Sequence, residues 1–160
     1  MQLYLMRHGI AEPGGRHQPD AERMLTPGGQ VLMQQQAQAL AQLQPNWSAV
    51  LSSTYVRAQQ TRDIIARAVG LKTQQNASLR PGCSLAELEE ALLGFDVWPL
   101  VVFHQPSIGQ IVYDLTGARV PISPGTVIGI DLTRWTHGGG MLTFVYRPED
   151  LATWGRAKAR

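Results

Sequence analysis

The sequence predicts a three-layer α/β/α sandwich: a mainly parallel central sheet with an antiparallel edge, covered by helices on both faces. Three observations carry this expectation. Residues 3–6 and 98–103 are apolar runs without alternation, the pattern of strands buried on both sides. Segments of helical periodicity separate the apolar runs along most of the chain. The last two strand candidates, 127–132 and 141–146, are joined only by the turn Trp135-Thr136-His137-Gly138-Gly139-Gly140, so they are expected to pair antiparallel.

The elements follow in order. The run at 3–6 ends abruptly in Arg7-His8-Gly9, and Gly9 is expected to let the backbone turn and leave room for a ligand at its amide. Residues 10–25 are rich in Gly, Pro and charge and read as a loop over a site. Thr26-Pro27 starts a helix that runs to about Leu43, with Val31, Leu32, Ala39, Leu40 and Leu43 as its apolar side and glutamines opposite. Ala49-Val50-Leu51 is a short buried strand ending in Ser52-Ser53. A second helix spans 55 to 69, with Ala58, Ile64, Ile65 and Ala68 apolar and Gly70 as its C-cap.

Residues 71–75 form a weak strand candidate, followed by a loop through Gly82. Ser84-Leu85-Ala86-Glu87 has capping-box spacing and starts a third helix ending near Gly94. The strand at 98–103 runs into His104-Gln105-Pro106, and residues 108–115 are helical up to Gly117. After the two closing strands, 148–160 reads as a frayed or short helical basic tail with Arg156, Lys158 and Arg160. No repeat or linker divides residues 1–160, so one domain is expected.

Composition narrows the role. The net charge is +2 with dispersed basic residues, an unpromising profile for nucleic-acid binding. Cys83 is alone and lacks a basic partner, which fits a structural role and a reducing compartment. A leader segment is not evident and no run is long enough to span a bilayer, so a cytoplasmic protein without membrane or nucleic-acid partners is expected.

Three strand ends offer chemistry: Arg7-His8-Gly9, Ser52-Ser53 with Arg57 just beyond, and His104. As parallel neighbours, they would gather two arginines and two histidines around a phosphate-sized space. A neutral imidazole at His8 can attack phosphorus, while Arg7, Arg57 and a protonated His104 hold the oxygens. Side-chain cations suffice for such a transfer, so neither metal nor cofactor is expected. The loop residues His17 and His137 lack ligand spacing.

These motifs, Leu5-Met6-Arg7-His8-Gly9, Ser52-Ser53-x-x-x-Arg57-Ala58-x-x-Thr61 and His104-x-Pro106, resemble the histidine phosphatase superfamily in order and spacing. The resemblance implies a phosphoglycerate mutase-like fold, a phosphorylated nucleophile at His8, a phosphate pocket completed by Arg7, Arg57 and His104, and Gly9 and Ser53 close to it. The short length and Asp20-Ala21-Glu22-Arg23-x-Leu25-Thr26-x-x-Gly29 look like the SixA-type phosphohistidine phosphatases. That implies a phosphorylated histidine-containing phosphotransfer domain as partner, Asp20 and Arg23 as substrate contacts, and a monomer. For Arg23, a surface ion pair with Asp20 is the other reading.

Two alternatives stay open: a phosphomonoesterase for a small metabolite, and a silent phosphoprotein-binding module. The sequence departs from the family pattern at Phe103, where glycine is common before the second histidine. Three acidic residues, Glu12, Asp20 and Glu87, are open as proton donors, with Glu87 also explained by helix capping.

Overall fold

A computed structural model describes residues 1–43 and 45–158; Arg160 of the expected basic tail lies outside the described residues. Six strands form one sheet: β1 (Gln2–Arg7), β2 (Val50–Ser52), β3 (Thr73–Gln75), β4 (Leu100–Phe103), β5 (Val127–Leu132) and β6 (Gly140–Tyr146). Their spatial order is β3-β2-β4-β1-β5-β6. The first four are parallel, whereas β5 runs antiparallel to both β1 and β6. Five helices cover the sheet: α1 (Pro27–Gln42), α2 (Val56–Val69), α3 (Leu85–Ala91), α4 (Ser107–Thr116) and α5 (Pro148–Lys158).

Side-chain alternation divides the core into two layers. Leu3 and Leu5 of β1, with Val101 and Phe103 of β4, pack with Leu88 of α3 and Ile108, Ile111 and Leu115 of α4. Met6, Val50, Leu100 and Val102 point the other way, towards Met33 and Leu40 of α1, Ile65 of α2 and Leu151 of α5. Burial on both faces explains why β1 and β4 are continuously apolar, whereas the edge strand β3 is exposed throughout.

Local signals operate where expected. Thr26 accepts from the Gly29 amide at the start of α1, and Ser84 and Glu87 close a capping box on α3. Gly70 and Gly117 end α2 and α4 in the left-handed region. The turns after α3 extend to Gly94, although the regular helix stops at Ala91.

One expectation is corrected in part. Val31, Leu32 and Leu43 are exposed, whereas Ala39 and Leu40 are buried as expected; α1 also buries Gly29, Met33 and Gln36, which form a row with Leu40 at i, i+4, i+7 and i+11. The alanine- and glutamine-rich sequence offers little contrast between faces, so the packing partners decided the stripe. Of the two readings of 148 onward, a frayed tail or a short helix, the short helix holds. Helix α5 lies against α1 with Leu151, Ala152 and Gly155 buried, and a Cβ at Gly155 would run into the Gln35 carbonyl.

Gly155→Ala is therefore expected to destabilise the protein by about 1–3 kcal/mol, the usual cost of overpacking. A shift in the denaturant midpoint at constant slope measures it. A frayed terminus would tolerate the same change.

Candidate active site

The carboxyl ends of β2, β4 and β1 are adjacent in the sheet, which brings their following residues to one rim. Backbone hydrogen bonds fix these ends: the His8 amide donates to the Phe103 carbonyl and the Ser53 amide to that of Val102. Gly125, at φ +94°, donates its amide to the Arg7 and His8 carbonyls from the segment preceding β5. His8 thus sits on a backbone held from both sides.

His8 is 7 % exposed. Its Nδ1 lies 2.7 Å from the Gly9 carbonyl oxygen. A carbonyl only accepts, so Nδ1 carries the proton and Nε2 keeps its lone pair. The Arg57 Nε donates to that Nε2 at 3.2 Å. Burial first, then the cations of Arg57, Arg7 and Arg23, lower the His8 pKa to about 4. Its ring is therefore uncharged at neutral pH, with Nε2 unprotonated.

Arg57 is 5 % exposed and donates from each of its three nitrogens. Besides His8 it reaches the Asp20 carbonyl through Nη1 at 2.7 Å and the Asp20 carboxylate through Nη2 at 3.1 Å. Arg7 donates from Nη1 to the Ile122 carbonyl at 2.9 Å, while its buried Nε finds no acceptor among the described residues. Burial and then the Arg57 charge lower the Arg7 pKa. Two guanidiniums forced together in this way favour an anion between them.

The His104 ring lies 5.2 Å from that of His8 and 5.0 Å from Tyr55. Its Nε2 is 2.7 Å from the Ser53 hydroxyl, which also accepts from the Tyr55 amide. Burial, His8 and Arg57 push the His104 pKa down to about 3, so this ring is neutral here. The protonated His104 that the sequence suggests belongs to a site holding phosphate, since the approach of a phosphoryl dianion favours that form. Ser53 holds the ring rather than waiting free for substrate. Phe103 leaves the site unobstructed, because its side chain is wholly buried on the opposite face among α3 and α4 neighbours.

Gly9 also differs from expectation. Its amide is used by Thr61 Oγ1 at 3.0 Å, and a Cβ there would meet Met33 Cε at 3.0 Å. Close packing, rather than space for a ligand at that amide, requires glycine. Thr61 is the functional residue that sequence reasoning quoted without a role. It also donates to the Arg57 carbonyl within α2 at 2.8 Å, while the bond it accepts from the Gly9 amide ties α2 to the end of β1. Its signal was the i, i+4 spacing from Arg57, which puts both on one helix face.

Residues 10–25 form a loop pinned across the rim. Arg23 Nη1 meets Asp20 Oδ1 at 2.8 Å and its Nε donates to the Glu12 carbonyl at 2.8 Å, so the ion-pair reading of Arg23 holds in this structure. Gln60 accepts from the Leu25 amide at 2.7 Å and anchors the loop to α2. Hydrogen bonds from Arg23 first and Arg57 next hold the Asp20 carboxyl below its ordinary range. Glu87 belongs to the α3 cap and an ion pair with Arg80. Cys83 is buried with its thiol pushed up to about 11, the behaviour of an inert structural cysteine. Both His17 and His137 are exposed.

The chain matches the model of the histidine phosphatase superfamily (branch 1) over residues 3–82. It is 34% identical over 142 residues to the phosphohistidine phosphatase SixA homolog of Haemophilus influenzae, covering 79% of this chain and 85% of that protein. An uncharacterized Picosynechococcus protein is 34% identical over 139 residues, covering 81% of this chain and 84% of that one. The solved structure of the protein histidine phosphatase SixA complexed with tungstate superposes with a TM-score of 0.78 at 25% identity, covering 94% of this chain and 99% of that one.

In nuclear magnetic resonance titrations, the His8 ring is expected to protonate near pH 4 and the His104 ring near pH 3, against an ordinary 6.5. Both shifts are downward, so the unfolded chain takes up more protons below about 6.5. Thermal stability should therefore fall as the pH drops from about 6.5 towards 4. A midpoint near 6.5 for either ring would contradict this burial.

Proposed function

Since this chain belongs to the histidine phosphatase superfamily and is a phosphatase, we propose that its substrate is a protein phosphohistidine, carried by a histidine-containing phosphotransfer domain of a phosphorelay. His8 Nε2 attacks phosphorus as the bond to the substrate imidazole breaks, leaving the phosphoryl group on His8. Water then attacks the same phosphorus, inorganic phosphate departs and the neutral imidazole is restored. Arg7 and Arg57 hold the equatorial oxygens, and the arriving dianion favours a protonated His104 as a third donor.

The observation that carries the choice of substrate is the state of Asp20. Its carboxyl is held ionised between Arg23 and Arg57 and has no proton to give at neutral pH. An alkoxide leaving group resembles hydroxide, whose conjugate acid water has a pKa of about 15.7, and needs such a proton. An imidazole, with a conjugate-acid pKa of roughly 6.5, leaves with much less help. The site therefore suits an N-linked phosphoryl group better than a phosphate ester.

Acid-quenched enzyme should carry an acid-labile, base-stable phosphoryl group that His8→Ala abolishes; a label persisting in that variant would remove His8 from the mechanism. Asp20→Asn should change phosphohistidine hydrolysis by less than about tenfold, whereas loss of a working general acid costs roughly 10²–10⁴-fold. A purified, phosphorylated phosphotransfer domain should be turned over faster than a panel of sugar phosphates. The reverse order would assign the enzyme to small metabolites.

A further inference from the structure

The Arg57 guanidinium meets His8 along one edge and the covering loop at its far end. In this planar group Nε and Nη2 share one edge, and Nη1 and Nη2 share the other. Nε donates to His8 Nε2 at 3.2 Å, so the first edge faces the atom that receives the phosphoryl group in the proposed reaction. Nη1 and Nη2 both go to Asp20, the first to its backbone carbonyl at 2.7 Å and the second to its carboxylate at 3.1 Å. A single loop residue thus grips the guanidinium with two acceptors.

The surroundings brace that grip. The other carboxylate oxygen of Asp20 accepts from Arg23 Nη1 at 2.8 Å, and Arg23 Nε donates to the Glu12 carbonyl at 2.8 Å. The Glu12 amide in turn donates to the Met24 carbonyl at 2.8 Å, joining the two sides of the loop. The Tyr55 ring centre lies 5.0 Å from the guanidinium carbon, so the plane of the group is supported as well as its end. With its side chain 54% exposed, Asp20 gains little stability from its charge alone. What its two bonds supply to a buried partner is direction.

We infer that Asp20 is a positioning residue for phosphoryl transfer: by holding Nη1 and Nη2, it turns the Nε and Nη2 edge of Arg57 towards the phosphoryl group on His8. Nη2 carries two hydrogens, so it keeps Asp20 with one and gives the other to a phosphoryl oxygen. Once phosphorus is bonded to His8 Nε2, the Nε hydrogen passes from that lone pair to a second phosphoryl oxygen, and the edge becomes a bidentate donor. The inference rests on the phosphoryl group lying between His8 and Arg57, as proposed above, and not on the identity of the leaving group. Without the Asp20 side chain, Arg57 keeps its charge and its bond to the loop carbonyl but loses its aim. The developing charge of the transition state depends on that aim, so the loss falls on kcat more than on KM.

Asp20→Ala should lower kcat by about ten- to hundredfold, the scale of a misdirected group, and change KM by less than about threefold. Asp20→Asn keeps an oxygen for Arg57 and should restore most of the rate. Asp20→Ser, too short to reach Nη2, takes the place of alanine if that variant does not fold. In an Arg57→Lys background no second nitrogen is left to hold, and Asp20→Ala should cost less than about twofold more. The rates are measured on a phosphorylated phosphotransfer domain and on p-nitrophenyl phosphate, which have only the phosphoryl group in common.

An unchanged kcat in Asp20→Ala would overturn the inference. So would an asparagine variant as slow as the alanine one, which would assign Asp20 a role through its charge or its proton. Full additivity with Arg57→Lys would also overturn it, because Asp20 would then act independently of Arg57. Wild-type protein that hydrolyses p-nitrophenyl phosphate but not the domain would remove the phosphohistidine reading alone, and the same variants would decide the role of Asp20 on the ester.

Discussion

The Arg57 guanidinium joins three parts of the molecule that are distant in sequence. From helix α2 it donates to Nε2 of His8 at the end of β1 and to both the carbonyl and carboxylate of Asp20 in the covering loop. Thr61, one turn further along the same helix, completes the attachment by bonding the Gly9 amide. The planar, permanently charged fork of arginine can make these contacts together; a lysine ammonium would be a single point charge in the same space.

This arrangement creates a charge problem that accounts for the electrostatics of the site. Burial, and then the charge of Arg57, disfavours the charged form of Arg7, and the two histidines beside them remain neutral first because they are buried and then because further positive charge is disfavoured. Asp20 neutralises part of the excess from a loop, at a side chain more than half exposed. A phosphoryl dianion suits the pocket on both counts: it supplies the charge that is lacking, and its oxygens match the donor fork. The neutral state that burial imposes on His8 is also the state a nucleophile needs.

The fold supplies this geometry through its topology. Strand β4 enters the sheet between β1 and β2, so chain segments about fifty residues apart place His8, Ser53 and His104 on adjacent strand ends. Helices α1, α2 and α5 brace one face and α3 and α4 the other, which leaves the rim as the place where polar groups can meet. The same rim carries an apolar cavity beside Gly9, because the start of α1, the segment before β5 and the start of α5 all come to that end of the sheet.

The sequence by itself determined the strands and helices whose signals are local: the apolar runs of β1 and β4, the Thr26 and Ser84 caps, and the glycines that end α2 and α4. It also located the residues of the candidate site, since Arg7 closes β1, His8 and His104 follow strand ends, and Arg57 lies in the first turn of the helix after β2. Tertiary structure decided what depends on neighbours. The buried stripe of α1 and the docking of α5 come from helix packing against surfaces that the local sequence does not contain. The neutrality of His104, the use of the Gly9 amide by Thr61 and the capture of Asp20 by two arginines come from burial and proximity, which exist only once distant segments have met.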